Sequence, residues 1–474
     1  MSLRTSRGTH TMTEHQIRDT LVNRMATHRI DLERLIAIPS VSAEGYDAAE
    51  VRRCAEVVRD LLTARGCANA RLLEVEGSHP AVYADWLNAG DDRPTVLCYA
   101  HHDVQPPGDP AAWTSPPFEP VERDGRLYGR GAADDKAGIM VHVAAIDAWL
   151  STHDRLPVNV KVIIEGEEET GSAHLEQLLE THGDLLRADV VVITDSTNWK
   201  VGVPALTHSL RGLVDCVVEV RALDHPLHSG MYGGPVPDPL SGLIKLLAGM
   251  TDERGVVTIP GFTDDAPRMA ADQRTALNTL GFDLDEFRDE AGLLDGVELV
   301  GAADDHVLER LWYRPTITVI GLDAPPVAGA SNTLPAAARA KVSARLAPGQ
   351  DPHRAMKTLV RWLEEHAPWG LRVSVTPGAA GAGYLGDPDQ PAMKAARRAL
   401  RNAYGHEPAL IGVGGSIPLI EPLTRGFGDI PALLTGVEDP DTRAHGIDES
   451  LHLEDWERAC LAQAYLFAEL AELG

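Results

Sequence analysis

The sequence predicts an α/β protein built from two domains. Short apolar runs alternate with longer segments of helical periodicity, as is typical of a mostly parallel sheet covered by helices. With 474 residues, the chain is longer than a single hydrophobic core usually supports. The pattern changes after about residue 209. This change indicates that a smaller α/β unit is inserted into the first domain.

The first part of the larger domain is predicted over residues 14–208. Apolar residues recur at helical spacing over 14–37, and Pro39 is expected to stop this helix because proline cannot continue it. The elements that follow alternate between the two types: helix Ala48–Arg65, strands Arg71–Val75, Ala81–Leu87 and Thr95–Ala100, helix Lys136–Leu150, strand Val158–Ile164, helix Ser172–Leu186 and strand Asp189–Thr194.

The inserted domain is predicted over residues 209–378, and residues 379–474 are expected to return to the first domain. The Gly- and Ala-rich stretch Pro377–Gly386 is interpreted as the linker between them. An acidic section at 252–310 has only weak periodicity and receives no assignment. The predicted elements are strands Leu213–Arg221, Thr316–Ile320, Arg339–Leu346, Leu371–Thr376 and Ala432–Thr435, with helices Asp238–Gly249, Pro352–His366, Ala392–Tyr404 and Leu453–Leu473.

Composition excludes several classes of protein. A formal net charge of -27 argues against nucleic-acid binding, which needs a basic surface. The five cysteines follow no metal-binding or disulfide spacing, which fits a reducing compartment. No apolar run is long enough to span a membrane, and Met1–Thr13 lacks the apolar segment of a secretory signal. We therefore predict a cytoplasmic protein that binds neither nucleic acid nor membrane.

Polar side chains with metal-binding capacity follow three of the predicted strands. His101, Glu165 and Asp195 each stand where an apolar run ends. In α/β sheets, ligands bind beyond the carboxyl ends of the strands. We therefore expect these three side chains to lie at one site.

His101 and Asp103 form a pair that suits a metal site. Residues i and i+2 of an extended chain point the same way, so Asp103 can support the His101 ring while His102 points elsewhere. A histidine ligand usually needs such a partner on its second ring nitrogen. Taken alone, however, this short pattern also fits a polar loop after a strand.

Two acidic stretches also need an explanation. Asp134 and Asp135 are adjacent carboxylates, which repel each other unless a cation or a lysine neutralises them. Either of them could instead cap the helix that begins at Lys136. Four glutamates follow a buried strand within Glu165–Glu169, where an acidic loop is the alternative interpretation. A carboxylate that faces a metal-activated water is a natural general base.

Asp195 and His445 complete the candidate set. Taken alone, Asp195 could be a turn residue, and His445 is one of nineteen histidines. Together, two histidines and several carboxylates without a cysteine ligand suit a hydrolytic site with two Zn²⁺ or Mn²⁺ ions.

Six stretches resemble, in the same order, the motifs of the M20 family of dinuclear metallopeptidases, and within it the carnosinase-like dipeptidase branch. The resemblance covers nearly the whole chain. The stretches are Tyr99–Gln105, Tyr128–Gly138, Glu165–Ser172, His228–Gly234, Gly414–Pro418 and His445–Ser450.

The resemblance implies a discontinuous zinc-peptidase-like catalytic domain that holds two divalent metal ions. Zinc is the first choice, with manganese or cobalt as alternatives. The resemblance also implies a cis peptide bond between Asp134 and Asp135. The implied ligands are Asp134, which bridges both ions, His101 and Asp195 on one ion, and Glu169 and His445 on the other.

The inserted domain resembles the family's lid and dimerisation domain, a smaller α/β sandwich. The resemblance implies a homodimer in which His228 reaches the partner's active site and polarises the scissile carbonyl. Arg345 would bind the substrate carboxylate, for which its fork of donors is suited. Asn332 and Ser416 look like further substrate contacts.

We therefore predict a metallopeptidase that cleaves dipeptides or short peptides with a free C-terminal carboxylate. Glu168 would take a proton from the metal-activated water, and Asp103 would support His101. An N-acyl-amino-acid or succinyl-diaminopimelate amidohydrolase using the same site is the alternative. A metal-free binding protein on the same fold, or a two-lobed solute-binding module, would leave the full set of ligand residues unexplained.

Overall fold

The chain forms two units in the computed structural model, which describes residues 3–415, 420–428 and 430–473. The first unit comprises Met1–His208, Gly386–Ile411 and Pro418–Gly474. The second comprises Ser209–Leu385 and Gly412–Ile417, so it is inserted into the first. The predicted α/β architecture with an inserted smaller domain is confirmed.

Helices and strands alternate along most of the chain. Up to residue 210 they are α1 (Leu3–Ile36), α2 (Ala48–Ala64), β1 (Ala68–Leu73), β2 (Ala81–Trp86), β3 (Thr95–His101), β4 (Val121–Arg123), β5 (Arg126–Tyr128), α3 (Lys136–His153), β6 (Asn159–Glu165), α4 (Leu175–Leu186), β7 (Val190–Ile193) and β8 (Ala205–Leu210). Up to residue 385 they are β9 (Gly212–Arg221), β10 (Leu227–His228), α5 (Ser229–Tyr232), α6 (Pro239–Ala248), α7 (Ala271–Leu277), α8 (Leu284–Glu290), α9 (Val307–Trp312), β11 (Thr316–Asp323), β12 (Thr333–Leu334), β13 (Ala337–Leu346), α10 (Pro352–Glu365), β14 (Arg372–Gly381) and β15 (Tyr384–Leu385). The remaining elements are α11 (Pro391–Tyr404), β16 (Ala409–Val413), α12 (Ile420–Gly426), β17 (Ala432–Leu434), β18 (Ser450–His452) and α13 (Leu453–Ala471).

The first unit contains a mixed sheet with the strand order β1-β2-β6-β3-β7-β17-β8. Strand β3 pairs in parallel with β6 and β7, and β7 pairs in parallel with β17. Strands β1, β2 and β8 pair antiparallel. The prediction of a mostly parallel sheet is therefore right only for the central strands. It is wrong at the edge because a short loop joins β1 to β2, and such a connection makes neighbouring strands antiparallel.

The central strands position the candidate site. Strands β3, β6 and β7 are apolar and buried on both faces, as expected of parallel strands that helices cover. Helix α3 is buried almost all round because it packs against α1 and α13 as well as β3. In the parallel register His101 lies opposite Glu165, so the carboxyl ends of these strands meet at one edge.

The second unit has two layers. Its antiparallel sheet has the order β11-β13-β9-β14, and alternate residues of β9 and β13 are buried in a core shared with α6 and α10. The acidic section 252–310 contains the short helices α7, α8 and α9. The linker interpretation of Pro377–Gly386 is wrong, because β14 continues to Gly381 and β15 follows it. Within the described residues, no helix combines the length and hydropathy that a membrane span requires.

Candidate metal centre

His101 ends strand β3 and is fully buried. Its Nδ1 donates a hydrogen bond to the backbone carbonyl of Asp103 at 3.0 Å, and the Asp103 carboxylate lies 3.4 Å from the same nitrogen. Because a carbonyl can only accept, the neutral ring carries its proton on Nδ1 and leaves Nε2 available to an ion. The Asp103 carboxylate also accepts hydrogen bonds from the Ser42 hydroxyl and the backbone N–H of Glu169.

Asp134 lies between two histidines and turns one carboxylate oxygen towards each. Its Oδ1 is 3.0 Å from His101 Nε2, and its Oδ2 is 2.9 Å from His445 Nε2. An unprotonated ring nitrogen and a carboxylate oxygen both accept hydrogen bonds, so each contact needs either a protonated ring or a cation. Without a cation, hydrogen bonds to Asp134 and Glu169 raise the pKa of His445 to about 11. A divalent ion could replace the proton in each contact.

Asp134 and the two histidines belong to two clusters of side chains that could bind metal ions. Within each cluster, every pair of ligand atoms lies within 4.8 Å. His101 Nε2 is 3.9 Å from Asp195 Oδ2, and His445 Nε2 is 3.2 Å from Glu169 Oε2. We call them the first cluster, made of His101, Glu168 and Asp195, and the second cluster, made of Asp134, Glu169 and His445.

The two carboxylates of the first cluster, Asp195 and Glu168, resist ionisation. Burial raises the pKa of Asp195 to about 7, and burial together with the Asp195 charge raises the pKa of Glu168 to about 9. Cations at the clusters would favour the charged forms. Carboxylate oxygens and imidazole nitrogens without thiolate ligands suit Zn²⁺ or Mn²⁺. The donor set therefore fits a pair of such ions.

Asp135 supports the site instead of capping helix α3. Its carboxylate makes no capping hydrogen bond and accepts the backbone N–H of His101 at 3.1 Å. The capping interpretation is therefore wrong for Asp135, because the carboxylate points back to β3. The Asp134–Asp135 peptide bond is cis, as the resemblance implied. A Cβ on Gly138 would lie 1.9 Å from Asp135 Oδ1, so glycine leaves this carboxylate room.

The other glutamates of the acidic run have partners outside the clusters. Glu165 accepts a hydrogen bond from the Tyr99 hydroxyl at 2.9 Å. Glu167 accepts the backbone N–H of His79 at 2.8 Å and pairs with His174 at 2.9 Å. Both glutamates are buried, and both have partners of their own.

The predicted substrate contacts in the second unit fall in two places. His228 and Asn332 come together because β10 pairs with β12, and the backbone N–H of Ser229 donates to the Asn332 carbonyl at 2.9 Å. Both His228 and Asn332 are exposed. Arg345 is half-buried on β13, directly opposite Thr316 of β11. Ser416 lies outside the described residues.

Several residues that contact the candidate ligands or their loops were not predicted from the sequence. Gln105 donates its backbone N–H to Glu169 Oε1 at 3.0 Å and its side-chain amide to Oε2 at 2.8 Å. Arg130 and Glu449 form a buried ion pair beside Asp134. The sequence signal that could have identified Arg130 and Glu449 was their charge within the motifs Tyr128–Gly138 and His445–Ser450. Their pairing across 319 residues is visible only in the fold.

The family model described as peptidase family M20/M25/M40 matches residues 97–470, a span that includes both clusters. The chain belongs to this family. It is similar to a cysteinylglycine-S-conjugate dipeptidase from Corynebacterium striatum, with 38% identity over 79% of this chain and 80% of that protein. The Beta-Ala-His dipeptidase of Homo sapiens is 30% identical over 83% of this chain and 78% of that protein.

Among solved structures, an M20 family metallo-carboxypeptidase from Sulfolobus solfataricus has a TM-score of 0.81 to this chain. Its sequence identity is 27%, and the match covers 94% of this chain and 99% of that chain. The predicted family, the predicted fold and the predicted enzyme class, a hydrolase of peptide bonds, are therefore confirmed.

Proposed function

We propose that this protein is a metal-dependent dipeptidase that cleaves dipeptides or short peptides with a free C-terminal carboxylate. The observation that carries the proposal is Asp134, whose two carboxylate oxygens face a histidine of each cluster. Two relatives are named as dipeptidases, and a structural neighbour is named as a metallo-carboxypeptidase. These relatives do not favour the N-acyl-amino-acid alternative.

Two Zn²⁺ ions would be held at the clusters, with Mn²⁺ or Co²⁺ as alternatives. Such ions would polarise the substrate carbonyl and make water a stronger acid. The proposed ligands are His101 and Asp195 for one ion, Glu169 and His445 for the other, and Asp134 for both.

Glu168 is the proposed general base. Its carboxylate lies within 4.8 Å of the ligand atoms of His101 and Asp195. Glu168 takes a proton from the attacking water while the water oxygen bonds to the carbonyl carbon. It then gives this proton to the leaving nitrogen as the C–N bond breaks. Asp103 acts through His101, whose ring it orients.

The second unit would supply the substrate contacts. His228 Nδ1 accepts the backbone N–H of Gly230 at 3.0 Å, so the neutral ring carries its proton on the exposed Nε2. That proton suits the proposed role of His228, which is to donate a hydrogen bond to the scissile carbonyl oxygen in the partner subunit of a homodimer. Arg345 would bind the C-terminal carboxylate, and Asn332 and Ser416 would contact the substrate.

All five cysteines are free and buried, which supports the proposed cytoplasmic location.

A substrate panel tests the proposed reaction. The purified protein would be assayed with Zn²⁺, Mn²⁺ or Co²⁺ against unmodified dipeptides, the same dipeptides with a C-terminal amide, and N-acetyl and N-succinyl amino acids. We expect turnover of the unmodified dipeptides and much weaker turnover of the amides. Hydrolysis confined to the N-acyl amino acids would contradict the proposal and support the alternative. Failure to cleave any peptide would also contradict it.

A further inference from the structure

The two clusters are held in place by different parts of the fold. His101 ends β3, and Asp195 follows shortly after the end of the neighbouring parallel strand β7. The backbone hydrogen bonds between these strands therefore hold the segments that carry both residues. His445 instead lies in a loop, with its side chain 57% exposed and a left-handed backbone φ of 61°. Arg443 and Asp448 of the same loop also have positive φ values, of 56° and 58°. Contacts other than the hydrogen bonds of a strand must therefore hold this loop in place.

Glu449 accepts hydrogen bonds from the loop that carries Asp134. It is fully buried, and its Oε1 accepts the backbone N–H groups of Ala133 at 3.1 Å and Asp134 at 3.2 Å. Its Oε2 accepts the backbone N–H of Gly131 at 3.1 Å and the Arg130 guanidinium at 2.6 Å. One carboxylate thus satisfies four donors of the loop that ends at Asp134.

Arg130 holds the loop that carries His445. Its side chain is buried, and its Nη2 donates to the backbone carbonyls of His445 at 3.1 Å and Gly446 at 3.0 Å. Its Nη1 binds Glu449. Arg130 therefore connects two ligands of the second cluster through their backbones, although it touches neither ligand atom.

We propose that Arg130 and Glu449 are positioning residues that set the metal affinity of the second cluster more strongly than that of the first. Both ions share Asp134, but the sheet and not this pair holds His101 and Asp195. The proposal rests on the two-ion centre of the proposed function. Each residue has a buried charge with the other as its partner, so loss of either leaves an unpaired charge beside the loops. Changes in groups that orient metal ligands typically weaken metal affinity by about 10–100-fold.

Zinc titration of the metal-free protein tests this assignment. Glu449→Gln removes the charge with little change of shape, and Arg130→Lys keeps the charge but cannot span both carbonyls. Isothermal titration calorimetry with Zn²⁺ should show two equivalents in the unchanged protein. In either variant, one equivalent should weaken about 10–100-fold, and the other, which His101 and Asp195 still hold, should weaken less. Adding His445→Ala to Glu449→Gln should weaken the same equivalent further, whereas adding Asp195→Asn should mainly weaken the other equivalent.

Arg126→Lys is the matched control. Arg126 also pairs with a largely buried carboxylate, that of Asp439 at 3.0 Å, and donates to Ser450 at 2.8 Å. It joins β5 to the C-terminal part of the chain without bonding to either ligand loop. Both zinc affinities should stay unchanged in this variant, and circular dichroism should show a native fold in all of them.

The outcomes separate this inference from the proposed function. Fewer than two zinc equivalents in the unchanged protein would contradict the two-ion centre itself. Two equivalents that weaken equally, or not at all, in the folded variants would overturn the positioning role. The same loss in Arg126→Lys would overturn it as well, because general destabilisation would then explain the effect. If both Arg130 and Glu449 variants fail to fold while Arg126→Lys folds, the pair stabilises the fold as a whole and the selective role is wrong.

Discussion

Glu168→Gln is the substitution that separates a general base from a metal ligand. Glu168 lies in the first cluster, so its carboxylate could act in either way. Glutamine keeps the shape of the side chain but cannot take a proton from water. If Glu168 is the base, the variant should keep both metal ions and lose turnover. If it is a ligand, an ion should be lost as well.

The expected loss of turnover in Glu168→Gln depends on the carboxylates near Glu168. Asp134, Asp195 and Glu169 all lie in the clusters, and Glu165 is bonded to the Tyr99 hydroxyl. None of these carboxylates is free to replace the base. General acid–base catalysis is typically worth about 10²–10⁴-fold. We expect kcat to fall by about this factor, which corresponds to about 2.7–5.5 kcal/mol in the barrier.

The assay would follow release of the C-terminal amino acid from an unmodified dipeptide, together with metal content by mass spectrometry. Glu167→Gln is the control, because Glu167 bonds to the backbone of His79 and lies outside both clusters. Its kcat should stay within a few-fold of the unchanged protein. A Glu168→Gln variant that turns over normally, or that loses one ion, would refute the base assignment.

Three further predictions concern stability and substrate binding. Gly138→Ala should cost about 1–3 kcal/mol in urea unfolding, because its Cβ would lie 1.9 Å from Asp135 Oδ1, whereas Gly183→Ala, with no atom within 4 Å, should not destabilise the fold. Arg345→Met should raise KM for unmodified dipeptides about tenfold or more and leave C-terminal amides unaffected, whereas an equal effect on both would contradict carboxylate binding. Burial acts to raise the pKa of Asp147, but hydrogen bonds from two basic side chains lower it to about 2. Asp147→Asn should therefore cost about 1–2 kcal/mol in urea unfolding at pH 7, after allowance for solvent screening. This difference should shrink as the pH falls from about 4 through 2, and a difference independent of pH would contradict the ion pair.

The sequence predicted the parts of the fold that depend on local pattern. Apolar runs placed β3, β6 and β7 to within about two residues, and the polar residues at their ends marked one edge of the sheet. The continuation of β14 could not be seen because its Pro and Gly residues resemble those of a linker. Strand β14 lies at the edge of its sheet and has an irregularity between Pro377 and Ala380, and both features tolerate proline in a strand.

The candidate site was predictable only in part. The motifs contained the candidate ligand side chains, and the fold brings them into two clusters. The sequence could not show which oxygen of Asp134 faces which histidine, because this depends on the packing of loops distant in the chain. It also could not show that Glu449 accepts four hydrogen bonds, since each donor is 315–319 residues away.

Asp134 is the proposed carboxylate that two metal ions share. Crystals of the zinc-loaded protein, measured at the zinc absorption edge, would show whether it does. We predict two anomalous peaks, one beside His101 and Asp195 and one beside Glu169 and His445, each bound to a different oxygen of Asp134. A single peak, or two peaks that leave Asp134 unbound, would contradict the shared carboxylate.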